Sequence, residues 1–303
     1  MPPSILKCPV CHQALTVGAK TAACEAKHSF DLARSGYLNL LLATQRHSPE
    51  PGDSPEMLRS RRAILRSGVY DAMAEATNAA VKDALGEREG AQIADLGCGE
   101  GFFLDRVKRS LKLNPDRLRQ GYGASADASA SAGHSKRGEH DYYGVDISRA
   151  GVKMATTYDR TITWIVASLH ESPFMPASLD IALSMFSPID AADVKRVLKP
   201  DATLITVTPG PDHLDALREI IYPSVVPHSP TPAFAADDTL FTLAHSSRTR
   251  AQAAVHTKED VMHLLAMTPY YWNISLETKA RVEAIERLEF TVDVSVNVFR
   301  ASG

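Results

Sequence analysis

The stretch Asp95-Leu96-Gly97-Cys98-Gly99-Glu100-Gly101 constrains this chain more than any other. It follows a short apolar run (Ala91, Ile93, Ala94) and precedes an amphipathic one (Phe102, Phe103, Leu104, Val107). A strand that ends in an acid and alternating glycines, then opens into a helix, makes a tight turn. Glycine has no Cβ and accepts positive φ, so a ligand can approach the backbone of such a turn closely. A glycine-rich loop alone is weak support, because several kinds of nucleotide-binding turn share it. Here a second acid, Asp146, closes the next apolar run (Tyr142, Tyr143, Val145). A carboxylate at the tip of a neighbouring strand suits the grip on ribose hydroxyls.

Two cofactors compete for that loop. A dinucleotide site uses G-x-G-x-x-G with the pyrophosphate at a helix N-terminus. This chain has G-x-G-x-G led by Asp95. An acid there repels pyrophosphate and can help to hold an amino-acid ammonium group. The spacing, together with Asp146, resembles the S-adenosylmethionine site of class I methyltransferases, and that reading is favoured over a nicotinamide site. A purely structural turn leaves both acids unexplained.

Near the start, Cys8-Pro9-Val10-Cys11, Cys24 and His28 give C-x2-C-x12-C-x3-H. Each half sets two ligands on a tight knuckle, and a hairpin between them brings the halves together. Three thiolates and an imidazole satisfy tetrahedral zinc and leave no open position, so the metal is expected to be structural. Disulfide pairing is the rival, but three cysteines cannot all pair and nothing points to export. His12 fits the knuckle less well than His28 and reads as a surface histidine. Cys98, inside the glycine loop, reads as a small filler and not as a nucleophile.

Between and beyond these motifs, apolar runs at 91–96, 142–147, 162–167, 179–186 and 203–208 are short and nearly continuous, as buried parallel strands are. Helices are expected from Ser54, over Asp71–Leu85, Ser148–Tyr158 and Ala191–Leu198. Pro55 follows the Ser54 cap in the manner of a helix start. Leu288–Arg300 alternates and suits an antiparallel closing strand. The fold class is α/β, a Rossmann-like doubly wound sheet with an antiparallel last strand, plus a small N-terminal zinc-binding module. The expected division is a zinc module over 1–45, a linker and helices over 46–90, and a methyltransferase domain over 91–303. Within it, 114–141 is poor in large apolar residues and reads as a flexible insertion.

Charge sharpens the picture only slightly. The net charge is −3, yet residues 1–70 hold nine Lys/Arg against five acids. A basic N-terminal part on an acidic body can face a polyanion, and an inconsequential solvated surface explains charge alone equally well. No apolar run approaches bilayer-spanning length and the N-terminus lacks a secretory pattern, so cytoplasmic residence without a membrane partner is expected.

Taken in order, the zinc knuckles, HSFDLARSGYLNLL (28–41), PGDSPEMLRSRRAILRSGVY (51–70), the glycine loop, TPGPDHL (208–214) and MTPYYW (267–272) resemble the bacterial RlmA family over nearly the whole chain. That family methylates N1 of a guanine in a hairpin of 23S ribosomal RNA. The resemblance implies zinc ligands at Cys8, Cys11, Cys24 and His28, and cofactor contacts at Tyr70, Gly101, Phe102 and His213. The wider superfamily pattern adds Asp95, Gly97, Gly99 and Asp146. A homodimer is also implied. The chain departs from the pattern in its long 114–141 segment and at Lys199-Pro200-Asp201-Ala202, which replaces a turn that commonly ends in two glycines.

Guanine N1 carries a proton at neutral pH, so methylation needs an acceptor for it. Met185-Phe186-Ser187-Pro188 ends the fourth strand, where such enzymes present the methyl acceptor, and Phe186 and Pro188 are the candidate pocket walls. Asp190 is a candidate proton acceptor or simply the start of the next helix. Tyr70 and Phe102 read equally as core aromatics without the resemblance, and His213 as part of the Pro209-Gly210-Pro211 turn. Asp53, Arg59, Arg61 and Arg62 are candidates for RNA phosphate contact or interdomain pairing, or they line a solvated helix face. Two rivals stay open: a small-molecule methyltransferase with an appended zinc module, and a cofactor-sensing protein without catalysis.

Overall fold

Parallel strands need crossover connections, and this chain supplies helices for most of them. The computed structural model describes residues 4–45, 48, 51–112, 139–228, 232 and 239–302. Most of the expected insertion at 114–141, and residues 46, 47, 49 and 50 of the linker, lie outside them. Three short strands, β1 (Thr16–Val17), β2 (Thr21–Ala23) and β3 (Ser29–Asp31), form a small antiparallel sheet near the N-terminus. A fourth, β4 (Tyr37–Asn39), leaves it and joins the main sheet.

Helices α1 (Pro55–Arg66) and α2 (Asp71–Leu85) follow, and then the alternating part begins. It runs β5 (Gln92–Leu96), α3 (Phe102–Lys112), β6 (Asp141–Asp146), α4 (Arg149–Ala155), β7 (Thr163–Val166), β8 (Leu179–Met185), α5 (Ala191–Val197), β9 (Leu198–Pro209) and α6 (Asp215–Ile221). It ends with β10 (Phe241–Val255), α7 (Lys258–Ala266), a 3-10 turn at Pro269–Trp272, α8 (Leu276–Glu283) and β11 (Leu288–Ala301). The main sheet is ordered β10-β11-β9-β8-β5-β6-β7-β4. β4 to β9 are parallel where they pair, whereas β11 runs antiparallel to β9 and β10 antiparallel to β11. The chain order reverses beside β5, so the strand ends of β5, β6 and β8 open onto one crevice.

The elements read from apolar runs are present. Ser54 caps α1, its Oγ accepting from Met57 N at 3.2 Å, and Pro55 occupies the first turn. β11 is antiparallel as expected, but it does not close the sheet. The edge belongs to β10, whose outward residues are largely exposed and whose sequence lacks an apolar alternation. Asp201, at the departure from the family turn, adopts φ +61°, the left-handed conformation that glycine takes most easily.

The crossover from β7 to β8 departs from the helical pattern. Residues 167–178 contain no helix. The N-terminal module packs there instead: Lys7 N donates to Pro173 O and Met175 N to Ile5 O, both at 2.8 Å. Leu6, Cys8, Leu15, Ala22 and Cys24 share one core with Leu38, Val145, Ile165 and Phe174. The module thus covers a sheet face that a crossover helix would otherwise cover. The opposite face is buried by α1 to α4, α6 and α7, around Tyr70, Ile93, Trp164 and Leu265.

Because β4 seals the β7 edge, module and sheet should unfold together. Leu38→Ala removes a side chain that is 2 % exposed. It should cost about 2–4 kcal/mol in urea unfolding while keeping a single transition. Two separate transitions in the wild-type protein would show instead that the module is an independent unit.

Candidate functional site

The two cysteine knuckles are near copies of one another. Cys8 N donates to Gln13 O and Cys24 N to His28 O, while His12 and Lys27 take left-handed φ values of +60° and +67°. The four side chains meet: their ligand atoms all lie within 4.8 Å of one another. Cys11 Sγ is 3.6 Å from Cys24 Sγ, and His28 Nδ1 is 3.4 Å from Cys24 Sγ and 3.7 Å from Cys8 Sγ. Tetrahedral zinc, with bonds of about 2.0–2.3 Å, sets such edges at about 3.5–3.8 Å. The thiols are not disulfide-bonded. The donor set therefore fits a closed zinc site. His12 stays outside it, exposed and 3.2 Å from Glu171.

The second site lies where β5, β6 and β8 end. Gly97 has φ +90°, and a Cβ built there would stand 2.1 Å from Ser187 Oγ, so the turn touches the segment after β8. At Gly101, φ is +88° and a Cβ would meet Trp164 and Ala155 at 2.7 Å. Any side chain at either place would push the turn off its neighbours. Asp146 holds the middle of the loop: Oδ2 accepts from Gly99 N at 2.8 Å and Oδ1 from Ser148 N at 2.7 Å.

Asp95 is different. It is 2 % exposed and, among the described residues, its Oδ1 has no hydrogen-bond partner. Burial, with Asp146 nearby, pushes its carboxyl up to about 8. Burial also pushes the Asp146 carboxyl up, against the two N–H donors that favour its charged form. Cys98 sits beneath both acids; burial and their charge raise its thiol well above the ordinary range, which removes it as a nucleophile. Glu100 turns away from the crevice and accepts from Arg62 Nε at 2.6 Å and Tyr158 Oη at 3.2 Å.

Phe186 follows β8 in a left-handed conformation, φ +55°, with 44 % of the residue exposed. Strained backbone in a non-glycine residue concentrates at functional sites. Its ring lies 5.5 Å from the imidazole of His213, which in turn is 3.4 Å from Tyr70 Oη through Nε2. Pro188 is exposed beside it. Burial, then the charge of His228, lowers His213 to about 4, so it is neutral near pH 7. Its Nδ1 accepts from Asp293 N at 3.3 Å, leaving the proton on Nε2. Tyr70 and Phe102 are buried, Phe102 edge-on to Phe103. Asp190 caps α5, Oδ1 accepting from Ala192 N and Asp193 N, so it is committed to the helix.

The turn that carries His213 is braced from β10. Arg248 donates to both oxygens of Asp293 at 2.7 Å, and Asp293 Oδ2 accepts from Asp212 N at 2.9 Å. Gly210 N donates to Asp293 O at 2.8 Å. Arg218, 3 % exposed, donates to the carbonyls of Pro211 and His213 from the other side. Around the same turn, Tyr222 meets Tyr270 edge-on at 5.6 Å and Tyr270 Oη lies 3.1 Å from His228 Nε2. Sequence reasoning missed Tyr222, His228, Tyr270 and Arg248. Only the aromatic density of MTPYYW hinted at one of them.

Of the α1 candidates, Arg62 ties the helix to the glycine loop through Glu100 and to α4 through Met154 O at 3.0 Å. Arg61 pairs with Asp53 over Gly99, and Arg59 is exposed. No described helix is long and apolar enough to cross a membrane.

A closed zinc site makes metal part of the fold. Denaturing the protein should release one zinc ion per chain, read with a chromogenic chelator. Cys24→Ser should lower both zinc content and the melting temperature. Full stability after complete metal removal would contradict a structural ion.

Comparison with known proteins agrees with this geometry. The model described as "RlmA, N-terminal" matches residues 6–49 and a "Methyltransferase domain" model matches 118–206. A putative 23S rRNA (guanine-N(1)-)-methyltransferase of Bacillus subtilis, YxjB, is 27% identical over 97% of this chain and 96% of its own length. A similarly named protein of Micromonospora griseorubida is 29% identical, with 97% and 96% covered. The 23S rRNA (guanine(748)-N(1))-methyltransferase of Streptomyces fradiae is 30% identical over 71% of this chain and 67% of its own. An S-adenosylmethionine-dependent fold with a Cys3His zinc cluster and these relatives converge on one conclusion: the chain belongs to the RlmA family of 23S ribosomal RNA (guanine-N1)-methyltransferases.

Proposed function

We propose that this protein transfers a methyl group from S-adenosylmethionine to N1 of a guanine in a hairpin of 23S ribosomal RNA. The observation that carries the reading is the meeting, at one set of strand ends, of an acid-flanked glycine turn with an exposed aromatic wall. Gly97 and Ser187 are in contact range, so the turn after β5 and the segment after β8 line a common crevice.

The cofactor supplies an activated methyl on a sulfonium. In this reading the glycine turn at Gly97, Gly99 and Gly101 receives its backbone-facing side. Asp146 receives the ribose hydroxyls, and Asp95, with its orphaned Oδ1, the ammonium group. Tyr70, Phe102 and His213 enclose the amino-acid end. Neutral His213 adds no repulsion toward a cationic ligand. Phe186 and Pro188 form the walls that stack the acceptor base. The base would have to give up its N1 proton to an acceptor and be held between Phe186 and Pro188 with N1 facing the methyl that the bound cofactor would supply. Holding these atoms in line is the enzyme's main contribution. Cytoplasmic residence and a homodimer belong to the same reading, on the resemblance.

Incubating the protein with labelled cofactor and unmodified 23S RNA, then mapping the product by mass spectrometry, should place one methyl on a guanine N1 in a hairpin loop. Phe186→Ala should lower kcat/KM by about 10²-fold while changing cofactor affinity little. Label on small metabolites and none on RNA would reject the proposal.

Asp95 adds a proton-linked test. Its folded value of about 8 lies above the unfolded range near 3.9, so the fold holds a proton that the unfolded chain has lost. Asp95 therefore costs increasing stability as pH rises from about 4 to about 8. An ammonium group against Asp95 favours the carboxylate, and binding at pH 7 should release the proton. Calorimetry in buffers of different ionisation enthalpy should show that release at pH 7 and its disappearance above pH 9. Enthalpies that are equal in all buffers at pH 7 would remove Asp95 from this role.

A further inference from the structure

We propose that Arg61 is the anchor for the carboxylate of the cofactor's amino-acid end, held ready by its ion pair with Asp53. This rests on the reading of the glycine turn as the cofactor's seat. Arg61 projects from α1 across the loop, and its Nη1 lies 3.3 Å from the point where a Cβ on Gly99 would be. The guanidinium therefore faces the stretch of backbone that the ligand must approach.

Its hydrogen bonding is incomplete. Nη1 donates to Asp53 Oδ2, and among the described residues Nε and Nη2 have no acceptor. The side chain is 26% exposed, so Arg61 is not sealed inside the protein. Nε and Nη2 form one edge of the planar fork, which matches two carboxylate oxygens. The other arginines nearby are already used. Arg62 bonds to Glu100, Thr157 and Met154, and Arg106 bonds to Asp71 and lies over the Phe102 ring.

Charge complementarity points the same way. The crevice presents Asp95 and Asp146 as acids, which suit an ammonium group and hydroxyls. The amino-acid end of the ligand also carries a carboxylate, and beside these acids a carboxylate needs a fixed cation. Arg61 is close enough to act on both flanks of the crevice: burial raises the Tyr70 phenol and the Asp146 carboxyl, and the Arg61 charge opposes that rise at each.

Asp53 is fixed as well. Ser148 Oγ donates to its backbone oxygen at 3.1 Å, and a Cβ at Gly52 would come within 2.8 Å of Ser148 Cβ. The strap before α1 is thus pressed onto the turn after β6. It holds Asp53, and Asp53 holds one edge of Arg61, so little side-chain freedom is left to lose on binding.

The test compares two probes that differ in the group Arg61 would hold. S-adenosylhomocysteine carries the amino-acid end; 5′-methylthioadenosine keeps the adenosine and the thioether but lacks it. By calorimetry, Arg61→Gln should weaken S-adenosylhomocysteine more than about tenfold and leave 5′-methylthioadenosine within about twofold. Arg61→Lys, with charge but no fork, should recover part of the loss. Normal 5′-methylthioadenosine binding would also show that the variant is folded. Equal weakening of both probes would make Arg61 a structural prop and overturn the proposal, as would no change in either. A wild-type protein that binds neither probe would instead overturn the cofactor reading beneath it.

Discussion

The crevice depends on a close approach of main chain to its neighbours at the end of β5. Three strand ends can converge there only because the turn has no side chains where it touches them. Gly97 meets Ser187 and Gly101 meets Trp164 and Ala155, while Gly151 of α4 comes up against Gly99 O. Asp146 then fastens Gly99 N and Ser148 N with a single carboxylate. The packing and the hydrogen bonds are mutually dependent. Without the glycines the loop would stand off, and Asp146 would lose its donors.

Converging three chain segments also concentrates charge. Asp95, Asp146 and Glu100 are all desolvated within a few residues of one turn. Each is handled differently. Glu100 has an arginine and a tyrosine; Asp146 has backbone N–H groups; Asp95 keeps one oxygen without a partner. An uncompensated buried oxygen is costly unless it takes a proton or meets a cation. On the other bank, fully buried Asp293 is balanced by Arg248 and by Asp212 N–H, and its own N–H sets the tautomer of His213. The same principle yields a stiff, satisfied support on one side and a receptive acid on the other.

Much of this architecture was legible in the residues because its core strands are buried on both faces. Ile93 and Ala94, Val145, Ile165 and Ile181 lie in short, nearly continuous apolar runs, and their length and flanking turn residues mark them as parallel strands. The zinc cluster was legible for another reason: coordination geometry demands fixed spacing and only a few residue types. β10 was not legible. Its residues from Thr242 to Arg248 are exposed, so no apolar pattern recorded the pairing. With β10 went Arg248, and with Arg248 the brace on His213. The aromatic group of Tyr222, Tyr270 and His228 was hidden because it assembles from two segments far apart in the chain. Asp53 and Arg61 carried signal as charges, yet only the fold shows them leaning over Gly99.

β4 has a consequence for how the chain is made. It is synthesised early, but its partner is β7, so Tyr37 must wait for Trp164 to leave the ribosome. The long intervening stretch, including α1, α2 and the whole of β5 and β6, is translated first. Contacts so distant in sequence form late and slowly. During that interval the metal knuckles can hold their shape locally. A nascent chain starved of zinc would leave a greasy hairpin and a bare strand waiting together, which is a recipe for misassembly between neighbouring polypeptides.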